Sequence, residues 1–405
     1  MIKFSPPHID QAIIDEVVNA LKSGWITTGP RTKLFEKEIA QYCGAPNVLC
    51  LNSATAGLEI MLRWFGVGAN DEVIVPAYTY CATANVVMHC GAKLVFVDIN
   101  HDDFNINIDN IKKAITANTK VIMPVDFAGL PCDYKSINAL VKSKEITSIF
   151  KANSPEQEKL GRILILSDAA HSFGAVVNGA QTGTLCDVSV FSFHAVKNLT
   201  TAEGGAVVFN LPEPFNNLEI YNSLCIKTLH GQNKDALAKT QKGNWKYDIV
   251  EPGYKCNMTD IAAAIGLVEL ARYNTMILPK RKHICQSYAA ILGKYQWALL
   301  PILKDNERET SYHLYPLRIN NITEVQRDAI MQKIFDADVS VNVHFIPVPM
   351  TSYYTSIGYK IADYPVTYKN FSCEISLPVF IDLTEEEIIT VTNAVINAVE
   401  LVLNK

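Results

Sequence analysis

The segment RILILSDAAHSFGA, residues 162–175, changes character at one residue. Aliphatic residues from Ile163 to Leu166 give way to Ser167 and Asp168, and small residues follow. A continuous apolar run of this length, bounded by turn formers, reads as a strand buried on both faces. DEVIVPAY (71–78), AKLVFVDI (92–99), KVIMPVDF (120–127) and VSVFSF (188–193) read the same way, with helical patterns such as TAGLEIMLRWFG (55–66) and NVVMHCG (85–91) between several of them. The alternation predicts an α/β fold around a mostly parallel central sheet. Ligand chemistry is then expected at the carboxyl ends of the strands.

The chain has 405 residues, 49% hydrophobic and 19% charged, enough to bury a large core and to divide in two. A large α/β domain is expected over 1–275 and a smaller C-terminal α+β domain over 276–405. The second region mixes the strand patterns SYHLYPLRI (311–319), VSVNVHFIPV (339–348) and EISLPVF (374–380) with helices at 323–336 and 384–402. Helical patterns at 258–274 and 280–295 lead into it. Two polar stretches, 143–162 and 231–253, read as surface insertions.

A net charge of -5 with scattered Lys and Arg gives no overall attraction for nucleic acid or an anionic membrane. The first twenty residues lack the positive-then-apolar pattern of a signal peptide, and no segment is apolar over the roughly 18 residues of a membrane span. Ten dispersed cysteines without a C-x-x-C pair read as small buried hydrophobes in a reducing cytoplasm. The nine histidines form no metal-binding pairing, so no metal is expected.

The strand ends carry the chemistry. Asp168 stops one buried strand, and Lys197 follows another in VFSFHAVKN (190–198). Taken singly, such an acid is as readily a helix cap or turn former, and such a lysine is commonly solvated. Asn52 to Gly57 precede an apolar helix, the way backbone N–H groups and a hydroxyl are presented to a phosphate. Tyr78 and Tyr80 follow a strand, where either ring could face a planar ligand or fill core. Together these are what pyridoxal phosphate requires: an amine for a Schiff base, a carboxylate for the ring nitrogen, an anion cradle and a flat partner.

SGWITTGP (23–30), NSATAGL (52–58), PAYTYCATAN (76–85), SDAAHSFGA (167–175), SFHAVKNLTTAEGGA (192–206) and EPGYKCNMTDIAAAIGL (251–267) resemble, in order and approximate spacing, the motifs of the DegT/StrS-type nucleotide-sugar aminotransferases. The branch that makes 4-amino-4-deoxy-arabinose is especially similar. The resemblance implies fold type I of the pyridoxal-phosphate enzymes, with Lys197 as the Schiff-base residue and proton carrier and Asp168 paired with the pyridinium nitrogen. His171 would sit near the ring, its alternative being a structural histidine bonded to backbone. Tyr80 would stack on the ring while Tyr78 packs, and Ala54, Thr55 and Ser192 would hold the phosphate. Lys255 or Asn257, in place of the family's G-Y-N-x-R arginine segment, would reach the phosphate of a neighbouring subunit.

Trp25, Thr27 and His344 would lie near the sugar. The reaction implied moves an amino group from L-glutamate to a keto carbon of a nucleotide-linked sugar, in a cytoplasmic homodimer with shared sites, for amino-sugar or cell-surface polysaccharide synthesis. Lys197 argues against the family's dehydratases, which carry histidine there, and the pair Asp168 and Lys197 argues against a non-catalytic sensor. A dinucleotide enzyme is excluded because GVGAND (66–71) precedes a strand instead of joining strand to helix.

Overall fold

A computed structural model describes residues 1–233 and 246–403. Its central sheet has seven strands: β1 (Asn47–Leu51), β2 (Glu72–Pro76), β3 (Lys93–Val97), β4 (Thr119–Ile122), β5 (Leu164–Asp168), β6 (Val188–Ser192) and β7 (Gly205–Phe209). Their spatial order is β1-β7-β6-β5-β4-β2-β3. From β3 through β6 neighbouring strands are parallel, and β7 runs antiparallel to both β6 and β1. Each apolar run singled out in the sequence therefore supplies a strand of this sheet.

The runs are continuous because both faces are covered. Along β5, Leu164 and Leu166 point into a core with Leu58 and Met61 of the helix Ala54–Trp64. Ile163 and Ile165 point the other way, against Ile137 and Val141 of the helix Tyr134–Lys142. That is the two-residue period of a strand with apolar side chains on both sides. Further along the second face, Phe35 and Ile39 of Pro30–Cys43 and Ala263 of Asp260–Ala271 pack on Phe191 and Val208.

A separate core lies in the C-terminal part. Ile284, Tyr288, Ile330, Ile334, Val391 and Val395 from three helices pack on Leu317, Ile375 and Leu377. Those last residues belong to an antiparallel sheet formed by Ala298–Leu299, Tyr315–Ile319 and Glu374–Leu377. Among the described residues no single helix is long and apolar enough to cross a membrane. All ten cysteines are unbridged.

Three expectations need correction or restriction. Residues 143–162 contain two short helices, Lys144–Ile149 and Pro155–Leu160, each started by a serine that accepts from a backbone N–H two residues into the helix: Ser143 from Ile146 and Ser154 from Gln157. Buried Gln157 ties the second helix down by donating to Phe65 O at 3.0 Å. Of the stretch 231–253, residues 234–245 lie outside the described residues, while Gln232 and Ile249 bridge its ends. VSVNVHFIPV is not a strand: it touches the sheet at Asn342, paired with Ser376, and then leaves it. The next alternate N–H, that of His344, donates to the Glu374 carboxylate at 3.0 Å instead of continuing the ladder.

The two helices on the second face are clasped by one acid. Asp260 is fully buried, and its carboxylate accepts from the N–H groups of Gly29 (2.8 Å), Arg31 (3.0 Å) and Thr32 (2.9 Å) and from the Thr32 hydroxyl (2.7 Å). These are the unpaired N–H groups at the start of Pro30–Cys43, so a side chain on one helix caps another. Asp260→Ala should cost about 3 kcal/mol or more, because buried donors lose a charged acceptor. Urea denaturation should show this as a lowered midpoint; an unchanged midpoint would mean that water replaces the carboxylate without loss.

Candidate active site

A cavity of about 460 Å³ opens where the sheet presents the carboxyl ends of its parallel strands. Asp168 ends β5, Ser192 ends β6, and Ser53 and Tyr80 follow β1 and β2. Because β7 runs antiparallel, its first residue lies at this same end, with Gly205 opposite both Ser192 and Leu51. A Cβ on Gly205 would stand 2.4 Å from the Ala54 nitrogen. Only glycine lets the start of the helix Ala54–Trp64 come this close to the sheet.

At that helix start, Ser53 Oγ accepts from Ala56 N at 3.1 Å. The first N–H groups, those of Ala54 and Thr55, have no partner within the helix and sit in the cavity wall. They form an anion cradle with the positive end of the helix dipole behind it.

Asp168 is buried at the cavity floor. Its carboxylate accepts from Thr83 Oγ1 at 2.7 Å and from Ala170 N at 3.2 Å, and Thr83 Oγ1 is in turn 2.8 Å from Thr79 Oγ1. Burial pushes its titration above the usual carboxylate range, while Thr83, the Ala170 N–H and the charge of Lys197 oppose that push. Lys197 lines the same cavity, and its amine makes no hydrogen bond or ion pair to another described residue. Burial lowers the amine to about 8, against the pull of Asp168. It is thus a nucleophile and base within reach of neutral pH.

His171 Nδ1 is buried and without a hydrogen-bond partner, and the His171 ring lies 4.3 Å from that of His313. Burial and the nearby Lys197 charge hold His171 well below its usual titration. A neutral ring in the cavity wall with one nitrogen left unpaired has hydrogen-bonding capacity to spare.

The sequence-derived set divides cleanly. Ala54, Thr55, Tyr80, Asp168, His171, Ser192, Lys197 and His344 all line the cavity. Tyr80 is an exposed wall residue, its ring 5.7 Å from Phe345, whereas Tyr78 is fully buried between Phe104 and Phe127 and packs. Trp25, Thr27, Lys255 and Asn257 are not brought to this cavity. Asn257 Nδ2 instead donates to Thr28 Oγ1 at 2.5 Å, Lys255 Nζ donates to Asn257 Oδ1, and Asp260 N donates to Thr27 O at 3.1 Å.

Sequence reasoning passed over Thr83, His313, Phe4 and Phe345. Thr83 carried a usable signal: it opens a small-residue helix start after a strand, as Thr55 does. The others arrive from distant parts of the chain. His313 is set by Asn198, whose Oδ1 lies 2.8 Å from His313 Nδ1 while its Nδ2 donates to Ser311 O at 2.7 Å.

A sheet of this topology, with an amine, a buried acid and an anion cradle at one end, defines a fold-type-I pyridoxal-phosphate enzyme. The free Nδ1 of His171, the unpaired Lys197 amine and the close approach at Gly205 fit that cofactor. Residues 7–154 and 157–396 match the DegT/DnrJ/EryC1/StrS aminotransferase family, and the chain belongs to it. It is a pyridoxal-phosphate-dependent aminotransferase. Among solved structures it is similar to the proposed sugar aminotransferase Spr1654 of Streptococcus pneumoniae in its pyridoxamine-phosphate form. That comparison has a TM-score of 0.95 and 44% identity, over 99% of this chain and 100% of that one. Helicobacter pylori PseC, an aminotransferase of pseudoaminic acid biosynthesis, aligns with a TM-score of 0.86 and 26% identity over 99% of each chain. SpsC, a spore coat polysaccharide biosynthesis protein of Bacillus subtilis, is 33% identical, covering 97% of this chain and 96% of its own.

The Lys197 amine makes its state measurable. Its folded titration, near 8, lies below the 10.5 of an ordinary lysine, so the native state binds fewer protons than the unfolded chain from about pH 8 to 10.5. In that window stability contributed by this group rises with pH. Cofactor capture by the apoprotein, followed by absorbance, should gain about tenfold per pH unit below about 8 and level off above it. A rate still climbing beyond pH 9.5, about an ordinary lysine's approach to its midpoint, would show that the amine is not desolvated.

Proposed function

We propose that this aminotransferase moves an amino group from L-glutamate to a keto carbon, C4 in preference to C3, of a nucleotide-linked deoxy sugar, in amino-sugar or cell-surface polysaccharide synthesis in the cytoplasm. The observation that carries the chemistry is the presence of the unpaired Lys197 amine and the buried Asp168 carboxylate in one cavity walled by a helix start. Sugar as the substrate class is supported by Spr1654, PseC and SpsC, all similar over nearly their whole length.

Bound pyridoxal phosphate supplies an electron-withdrawing ring that takes up the electron pair of the carbon–hydrogen bond being broken. The chain's residues do the rest. The carboxylate of Asp168, fixed by Thr83 and Ala170, would keep a proton on the ring nitrogen. Ala54, Thr55 and Ser192 would hold the phosphate, Tyr80 would stack on the ring, and His171 would orient it from the other side. Lys197 would anchor the cofactor and, once its amine is released, carry the proton between substrate carbon and cofactor carbon. His344 would face the sugar.

Residues 25–28 and 255–257 lie side by side, joined through Thr28, which accepts from Asn257 Nδ2 and donates to the carbonyl of buried Met258. If 255–257 serve a neighbouring subunit's phosphate, Trp25 and Thr27 reach the same neighbour's sugar. The functional unit would then be a two-fold dimer with shared sites.

Glutamate and a panel of nucleotide ketosugars, followed by mass spectrometry, test the reaction directly. A mass gain on a 4-keto sugar with release of 2-oxoglutarate is expected; conversion only of a non-sugar ketone would refute the substrate class. Asp168→Asn should slow the glutamate half-reaction in single turnover by about a hundredfold or more while barely changing glutamate binding. A near-wild-type rate would reduce Asp168 to a cap.

Sharing is tested by exchange. Lys197→Ala and the double variant Lys255→Glu, Asn257→Asp should each be inactive alone. Mixed in equal amounts they should recover about a quarter of wild-type activity, since half the dimers are hybrids with one intact site of two. No recovery, with exchange confirmed by native mass spectrometry, would rule out the shared site and leave 251–260 a structural role.

A further inference from the structure

His344 enters the cavity wall from the irregular segment after Val339, and its ring is held from behind. His344 Nδ1 lies 3.0 Å from Ser376 Oγ, Ser376 Oγ lies 2.5 Å from Glu374 Oε1, and Glu374 Oε2 accepts the backbone N–H of His344 at 3.0 Å. Ser376 and Glu374 are both fully buried, two apart on one face of the strand Glu374–Leu377. On the cavity side, Phe4 stacks on the imidazole at 5.4 Å, and Nε2 makes no hydrogen bond to a described residue. A buried carboxyl, a hydroxyl and a ring nitrogen thus form one unbranched chain ending at an open nitrogen.

The chain has two consistent settings. When Glu374 is ionised it can only accept, so the Ser376 hydroxyl donates to it and must accept from Nδ1–H. The imidazole then presents a bare Nε2 to the cavity. When Glu374 carries a proton on Oε1, it donates to Ser376 Oγ, Ser376 donates to Nδ1, and the ring presents Nε2–H. The two settings differ by one proton: release of a proton from Nε2–H to the cavity, with one proton moved along each link, converts the second into the first, and uptake at Nε2 reverses it, without an imidazolium.

We propose that Glu374 and Ser376 are positioning residues that set the hydrogen-bonding sense of His344 Nε2, making it a donor to a sugar oxygen when Glu374 is protonated and an acceptor when Glu374 is ionised. This deepens the reading of His344 as the residue facing the sugar and rests on it. In the donor setting the relay can release a proton to a substrate oxygen. Nε2–H gives up its proton, Ser376 O–H passes one to Nδ1, and Glu374 passes one to Ser376 Oγ, leaving a carboxylate. A keto oxygen that must leave as water during amination needs such a proton, and the relay supplies it without charging the ring.

The surroundings favour a neutral ring and a titrating acid. Burial and the Lys197 charge depress His344 to about 3. Burial pushes Glu374 up to about 8, opposed by Ser376, the His344 N–H and two cations. Those cations are Arg318, opposite Glu374 on the adjacent strand, and Arg327 on the helix Glu324–Asp336, whose Nη1 lies 3.4 Å from the Glu374 carbonyl. Tyr78 and Cys373 also face the carboxyl, and burial keeps both neutral near pH 8. Toward the cavity the ring meets the charges of Lys197 and the neutral rings of His171 and His313.

The test reads tautomers rather than turnover. Full-length protein labelled with [15N]histidine, with and without cofactor, would be followed by nitrogen NMR from about pH 6 to about pH 10, with His344→Gln identifying the signals. Wild type should pass from the Nε2–H to the Nδ1–H form with a midpoint near pH 8, with no imidazolium signal. Glu374→Gln should hold one form throughout, and Ser376→Ala should uncouple the ring and abolish the passage even if the glutamine variant fails to fold. One tautomer across the whole range in wild type, or a passage that survives both substitutions, would overturn the relay. The readout does not depend on which sugar is converted, so failure of the sugar assignment and failure of the relay are separate results.

Discussion

Asp168 and Lys197 are buried, oppositely charged groups of one cavity and do not hydrogen-bond to each other. The chemistry of the site depends on that separation. A direct ion pair would lock the amine in its protonated form and occupy the carboxylate, leaving neither free for a cofactor. Instead Thr83 and Ala170 satisfy the acid from one side, and burial holds the amine near 8, so both keep an unused valence toward the cavity.

The architecture supplies this geometry through one antiparallel strand. Parallel strands bring the ends of β1, β2, β5 and β6 to one edge, but a sheet made only of them would not bring a glycine-rich start there as well. β7, inserted between β1 and β6, turns Gly205 toward Ala54 and lets a helix start descend onto the sheet edge. The helix start at Ala54 and the lysine, on segments that follow different strands, are thereby held in the wall of a single cavity.

The C-terminal sheet closes the site from the other direction. His344 reaches the cavity because its segment abandons the ladder at Asn342 and spends the His344 N–H on the Glu374 side chain. The same carboxyl that breaks the strand pattern holds the imidazole from behind. A departure from regular structure and the placement of a functional ring have a common cause here, and neither is visible in the alternation of VSVNVHF.

The sequence by itself determined the layers of the large sheet, since short apolar runs such as ILIL at 163–166, bounded by turn formers and alternating with helical patterns, read as strands covered on both sides. It also determined the ordered set of motifs that carry Lys197, Asp168, Ala54, Thr55 and Ser192, because each of these residues ends a strand or follows one at short range. It misread 143–162, where serine caps make helices of a stretch whose polarity suggested a loop. The residues alone left Tyr78 and Tyr80 equivalent and the family resemblance chose Tyr80; the tertiary structure supplies the physical reason, since only Tyr78 finds Phe104 and Phe127 to pack between. Tertiary structure alone joined His313 to Asn198 and Glu374 to His344, contacts that bridge 115 and 30 residues. Local sequence records which backbone a residue prefers, whereas the partner of a buried polar atom is set by how distant segments pack.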